Sequence, residues 1–216
     1  MNLRGAVFSG ATVDFDGAVF SGGTVDFDGA VFSGGNVRFS GATFSAGTVQ
    51  FHRAVFSGST VRFSGAVFSG STVRFSDATF SGSFVGFNDA VFSGGAMSFN
   101  LAKFSAGTVS FRGAVFSGAT VDFAGETFTN GEFFSGGAKF SGGAVRFSNA
   151  TRGGLLASGG ASFSGDTVRF DGATFSGGEV DFDETIGHAP AGLLEAVGTP
   201  VPAEVHLRAD WLPASP

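Results

Sequence analysis

Apolar side chains recur along this chain in alternating steps of seven and five. One series of phenylalanines runs Phe8, Phe20, Phe32, Phe44, Phe56, Phe68 and on to Phe140, and a second runs Phe15, Phe27, Phe39, Phe51, Phe63 and on to Phe123. Ala stands two residues before most of the first series (Ala18, Ala30, Ala66), and Val two before most of the second (Val25, Val37, Val61). Stretches such as Ala18-Val19-Phe20 and Val25-Asp26-Phe27 therefore alternate with period two, which is the pattern of a half-buried strand. The residue two before each Phe shares its side of the strand, and the residue between them points the other way. The inward positions are Ala, Val and Phe. The outward position before the second series holds Asp14, Asp26, Arg38, Gln50, Arg62, Arg74, Gly86, Ser98, Ser110 and Asp122. Phe20, Phe27, Phe32, Phe39, Phe63 and Phe68 represent the predicted core ladder.

Gly and Ser follow the Ala-x-Phe stretches, as in Ser33-Gly34-Gly35, where the chain must turn and Gly accepts positive φ without a Cβ clash. This glycine density and spacing exclude helix over the same region. A fixed short period is the mark of a solenoid whose units bury their apolar faces only against their neighbours.

These units resemble the pentapeptide repeat family. The matching pieces are Ala6-Val7-Phe8-Ser9-Gly10 and Val13-Asp14-Phe15-Asp16-Gly17, each with a small or branched residue two before a central Phe, and the pattern recurs to about Phe182. The chain departs from the family in carrying two extra residues after every second unit. Val or Thr also stands just before the central residue in one series, where the family often has Asp or Asn. The resemblance implies an all-β fold, a right-handed quadrilateral β-solenoid. The solenoid itself reads as a non-enzymatic structural scaffold or protein-interaction surface, and the resemblance implies the alternative, a duplex-DNA mimic that occupies the DNA-binding saddle of a type II topoisomerase such as gyrase.

A coil could hold twelve residues or 24. Stacked coils lie about 4.8 Å apart, so residues one coil apart touch. Twelve would set Asp14 on Asp26, Asp16 on Asp28 and Arg62 on Arg74. With 24, Asp14 meets Arg38 and Arg53 meets Asp77, although Arg38 then meets Arg62. The reading favours 24, in about seven to eight coils roughly 35 Å long.

The pattern loosens where Glu126 takes an Ala site and Ser135 a Phe site, and it breaks over 148–162, where Arg152 takes a Phe site and Phe163 comes one residue early. A protruding loop or bulge is expected there, with Arg152, Leu155 and Leu156 as candidate interaction residues. After Phe182 the composition changes. The expected division is a solenoid over 1–183 and a cap and tail over 184–216, with a short helix bearing Leu193, Leu194 and Val197 on one face and Trp211 beyond it. These four are the candidate cap or interface residues. They are expected to cover the last coil, because an open solenoid end exposes strand edges and apolar side chains; no such cap stands at Met1, which leaves room for a homodimer through the bare N-terminal coil.

The 216 residues include 37 Gly and 30 Phe, no Tyr and no Cys, so thiolate zinc sites and disulfides are excluded. A formal net charge of −6 favours solubility and argues mildly against direct nucleic-acid binding. No apolar run reaches the roughly 18 residues of a membrane helix, and Met1 to Gly5 lead straight into the repeat, so the expected location is the cytoplasm with no membrane contact. His52, His188 and His206 lie in unrelated contexts, and the recurring serines read as turn residues, not as one activated nucleophile. Asp14/Asp16 and Asp26/Asp28 share a side, but with no matching ligand pattern they read as solvated carboxylates. The Thr column Thr12, Thr24, Thr48, Thr60 has charged neighbours, which argues against an ice-binding face. The expectation is a protein without catalysis, cofactor or metal, whose protein partner is unnamed by the sequence, gyrase being the alternative.

Overall fold

The computed structural model describes residues 1–164, 168–175 and 177–212; residues 213–216, the end of the expected tail, lie outside it. The described residues wind into a solenoid of three parallel sheets with eight, nine and nine strands among them. Face one stacks strands such as Val7–Ser9, Val31–Ser33 and Val55–Ser57, and face two stacks Thr12–Asp14, Asn36–Arg38 and Thr60–Arg62. The third sheet is built from longer strands, Val19–Asp26, Thr43–Gln50 and their successors. Its register shifts between Phe20 and Thr24, so each long strand bends over two sides and forms faces three and four.

Pairing settles the coil at 24 residues. Phe8 lies against Phe32, Val13 against Val37 and Phe20 against Phe44, in parallel register throughout the regular coils. Each ring therefore meets its own equivalent one coil away. Phe27 and Phe51 stack at 4.8 Å and 1°, Phe32 and Phe56 at 4.9 Å, Phe39 and Phe63 at 4.7 Å, Phe44 and Phe68 at 4.7 Å. Four such columns fill the tube and touch at their edges, as Phe63 does Phe75 at 6.1 Å and 88°. Stacked and edge-on contacts both suit the aromatic quadrupole. Ala two residues earlier is small enough to let the columns close, and Ala30, Ala54, Ala78 and Ala102 are fully buried.

Each second Phe opens a turn whose fourth residue donates back, as Ala18 N does to the Phe15 carbonyl at 3.0 Å, with Gly17 at φ 67°. Asp14 helps start that turn by accepting from the Asp16 amide at 2.9 Å, which explains Asp just before the corner Phe. The glycine position is left-handed at these corners from Gly5 to Gly172, yet Leu101 occupies it at φ 58° and is exposed. A left-handed Leu costs about 1–2 kcal/mol, partly offset by the unfolded-state entropy of Gly. Leu101→Gly is expected to stabilise the fold by about 0.5–1 kcal/mol, read as a rise in thermal midpoint; a fall would show that Leu101 holds a contact beyond its backbone.

Residues 148–162 do not protrude. Thr151–Arg152 and Leu155–Ala157 continue faces one and two, with Arg152 paired to Phe128 and Leu156 to Phe133. The coil is shortened by one residue at the corner Gly153-Gly154, after which Phe140 meets Phe163. This corner lies close on the coil before it: a Cβ on Gly154 would sit 1.7 Å from the Gly131 carbonyl oxygen, so only Gly fits.

Stacking also runs past residue 183. Ile186–Gly187 extends the third sheet and Val205–His206 extends face two. Between them the helix Leu193–Val197 buries Leu193 and Val197 against the last coil, while Leu194 points to solvent at 37% exposure and so does not share their face. Trp211 closes the end, packing on Phe163 and Phe182 with its indole N–H on the Gly187 carbonyl at 3.1 Å. No helix among the described residues is long and apolar enough to cross a membrane.

Candidate functional site

Of the three residues expected on an exposed loop, Arg152 and Leu156 are 2% exposed and only Leu155 reaches the surface in part. Arg152 stands in the ring column of face one, between Phe128 and Phe175, with its side chain inside the tube. Its guanidinium lies 4.3 Å from the Phe128 ring centroid, 4.4 Å from Phe147 and 5.0 Å from Phe133, and donates to Glu126 Oε1 at 2.8 Å. Glu126 replaces the inward Ala of the preceding coil and is fully buried. Its Oε2 has no hydrogen-bond partner among the described residues. Burial pushes this carboxyl up to about 7 against the attraction of Arg152, and burial likewise lowers the Arg152 guanidinium. Close by, Ser135 and Ser158 take two successive Phe sites and hydrogen-bond to each other at 2.8 Å. Phe133 and Leu156, at the facing Val sites, partly fill the space and leave an internal cavity of about 10 Å³. The exchange of inward residues was visible in the sequence, but its pairing was not read: Glu126 and Arg152 lie one coil plus two residues apart, opposite charges in adjoining inward columns.

The N-terminal acids are not free carboxylates. Arg38 bonds both Asp14 (3.4 Å) and Asp16, Arg4 bonds Asp26 (3.6 Å) and Asp28 (2.7 Å), and Arg53 bonds Asp28 at 3.0 Å. Arg53 thus reaches back to Asp28 and makes its ion pair there, not with Asp77 as expected. The bond from Arg53 holds the Asp28 carboxyl below its ordinary value against a weaker cost of burial. No cluster of three or more His, Cys, Asp or Glu that could hold a metal ion occurs among the described residues.

Two surface features remain. On face three, the outward row Val19, Thr43, Val67, Val91, Val115 runs beside Ser21, Ser45, Ser69, Ser93 and Ser117, and the first charge in it is Lys139. On face two, Phe84 and Phe134 stand at outward positions that other coils fill with Thr, Asn, Asp or Arg. Arg112 lies over the Phe134 ring at 4.5 Å. Sequence reasoning missed both aromatics, although Phe84 falls one residue out of phase with the ladder.

Residues 3–49 and 46–90 match the family model described as pentapeptide repeats (9 copies). No curated protein sequence matches. Among solved structures, a trypsin-treated form of QnrB1, a plasmid-mediated fluoroquinolone resistance protein, is 16% identical, with 83% of this chain and 76% of that one covered and a TM-score of 0.29. HetL, a pentapeptide repeat protein involved in heterocyst differentiation regulation from the cyanobacterium Nostoc sp. strain PCC 7120, is 13% identical, with 87% and 92% covered and a TM-score of 0.20. Residues 3–90 thus match pentapeptide repeats, in a form centred on phenylalanine, and the same parallel register is carried onward to Arg146.

Proposed function

We propose that this chain is a non-enzymatic β-solenoid that serves as a protein-interaction scaffold, with face three as its contact surface. The observation that carries this reading is the uncharged row from Val19 to Val115. Protein interfaces are marked by depletion of charge at their centre more than by overall hydrophobicity, and a sheet braced by a solid aromatic core offers a flat surface with little entropy to lose on binding. Lys already stands in this row at position 139, so Val67→Lys with Val91→Lys changes the surface while keeping the fold. Pull-downs from the native host with the wild-type and double-lysine proteins test the idea. A partner retained by the first and lost by the second is the expected outcome, and identical captured sets would contradict it.

The DNA-mimic alternative needs a continuous acidic surface, because duplex DNA presents unbroken negative charge. Here Arg4, Arg38 and Arg53 take up the N-terminal carboxylates. No inhibition is expected in a gyrase supercoiling assay at micromolar protein.

A further inference from the structure

Face two carries a second surface that the scaffold reading does not use. The Phe84 ring lies down on the sheet over Gly86: a Cβ there would come within 2.5 Å of Phe84 Cε1. Coils on either side have Arg62 and Ser110 at the Gly86 position, so this coil alone among those three has room for the ring to lie flat. Two coils further on, Phe134 stands under the Arg112 guanidinium. Neither ring is needed to fill the tube, and both are half-buried at positions facing away from it. Between them is a cleft of about 280 Å³, and a second of about 360 Å³ adjoins it across Arg112 and Phe134.

The polar groups around these clefts are of both kinds. Glu132 and Asp181 offer carboxylate oxygens, one of them already bonded by Thr108 Oγ1 at 2.9 Å. Arg112 offers N–H groups and makes no ion pair among the described residues. Asn88 accepts from Ser110 Oγ through its Oδ1 at 2.6 Å, which leaves its NH₂ to donate. Aromatic faces ringed by acceptors and donors in planar side chains match a ligand with apolar C–H faces and a rim of hydroxyls that both donate and accept. That is the chemistry of a pyranose ring. An acidic ligand would meet Glu132 and Asp181, and a basic one would meet Arg112.

We propose that these two adjoining clefts on face two, built on Phe84, Asn88, Arg112, Glu132, Phe134 and Asp181, form a binding site for a neutral oligosaccharide, with one sugar ring on Phe84 and the next beside Phe134 and Arg112. The site lies on a different face from the uncharged row, so it stands or falls separately from the scaffold reading.

The test is titration calorimetry of the full chain against neutral hexose and N-acetylhexosamine oligosaccharides, at low and high salt. Phe84→Thr and Phe134→Asp place in each column a residue that another coil already carries, Thr60 and Asp14, so both variants keep the fold, as circular dichroism will confirm. At least one oligosaccharide is expected to bind with little dependence on salt. Either variant should weaken it by about tenfold, equivalent to ~1.4 kcal/mol, whereas Val91→Lys on face three leaves it unchanged. Absence of binding at millimolar sugar would overturn the proposal. So would binding that survives both variants, or binding confined to charged glycans or peptides and abolished by salt.

Discussion

Arg152→Ala is expected to lower the unfolding free energy by about 3–5 kcal/mol at neutral pH, measured by chemical denaturation. The substitution strips Glu126 of its buried counter-charge, removes a cation from among three aromatic rings and opens a gap in the face-one column. Breaking a buried pair on one side is costly because the other charge stays uncompensated. The paired change Glu126→Ala with Arg152→Phe behaves differently, since it restores the residues of the regular coils. It is expected to be neutral or to stabilise by about 1–4 kcal/mol, as buried ion pairs replaced by packed apolar groups commonly do. A destabilised double variant would mean that the shortened coil has been fitted around the pair.

The same site sets a pH dependence. The folded-state carboxyl of Glu126 is raised from 4.5 to about 7, so the folded form binds a proton more tightly than the unfolded chain. The associated stability is fully present below pH 4.5 and is lost as pH rises through 7. Arg152 and Asp122 are the charged groups acting on it, in opposite directions. Asp28 has the opposite sign: its lowered carboxyl contributes stability above its ordinary 3.8 and loses it as pH falls. Wild-type protein should therefore lose stability from pH 5 to pH 8, and Glu126→Gln should flatten that slope. An unchanged slope in the variant would assign it elsewhere.

Phe63→Ala is the second large effect, again about 3–5 kcal/mol, through lost transfer free energy and the cavity left behind. The ring is fully buried and stacks on Phe39 at 4.7 Å and Phe87 at 4.8 Å, with Phe44, Phe68 and Phe75 around it. The neighbouring coils are locked in register by continuous parallel pairing, so they cannot collapse into the gap. Arg62→Ala, one residue away and outward, should stay within about 0.5 kcal/mol. Equal losses in thermal unfolding would show that inside and outside had been exchanged.

The regular coils were legible because one physical rule, period-two alternation between Gly-bearing corners, was repeated with little variation. The choice of 24 residues rests on charges together with the family resemblance: Asp14 beside Arg38 is tolerable where Asp14 on Asp26 is not, and the structure pairs Asp14 with Arg38. The irregular coil was misread because Arg at an inward position looks like an escape to the surface until its partner is counted one coil back. Glu126 alone, or Arg152 alone, is an anomaly, and only the tube's geometry makes them one object. The outward Phe84 and Phe134 were hidden by abundance. Among 30 phenylalanines an extra one reads as more core, and phase is the only mark that sets it apart. In the cap, Leu193 and Val197 are four residues apart and share the buried face, whereas Leu194 is turned about 100° from Leu193 and faces solvent.

The central claim is a tube of stacked 24-residue coils, with each inward ring of the regular coils over its own repeat. Because the chain has no cysteine, disulfide trapping tests it cleanly. Ser33 and Ser57 are directly paired on face one, whereas Ser33 and Ser45 lie on different faces. Adjacent in-register residues about 4.8 Å apart fall within the Cα separation a disulfide can bridge. On mild oxidation, Ser33→Cys with Ser57→Cys should close an intramolecular disulfide and Ser33→Cys with Ser45→Cys should not. Closure of the twelve-residue pair alone would contradict the architecture.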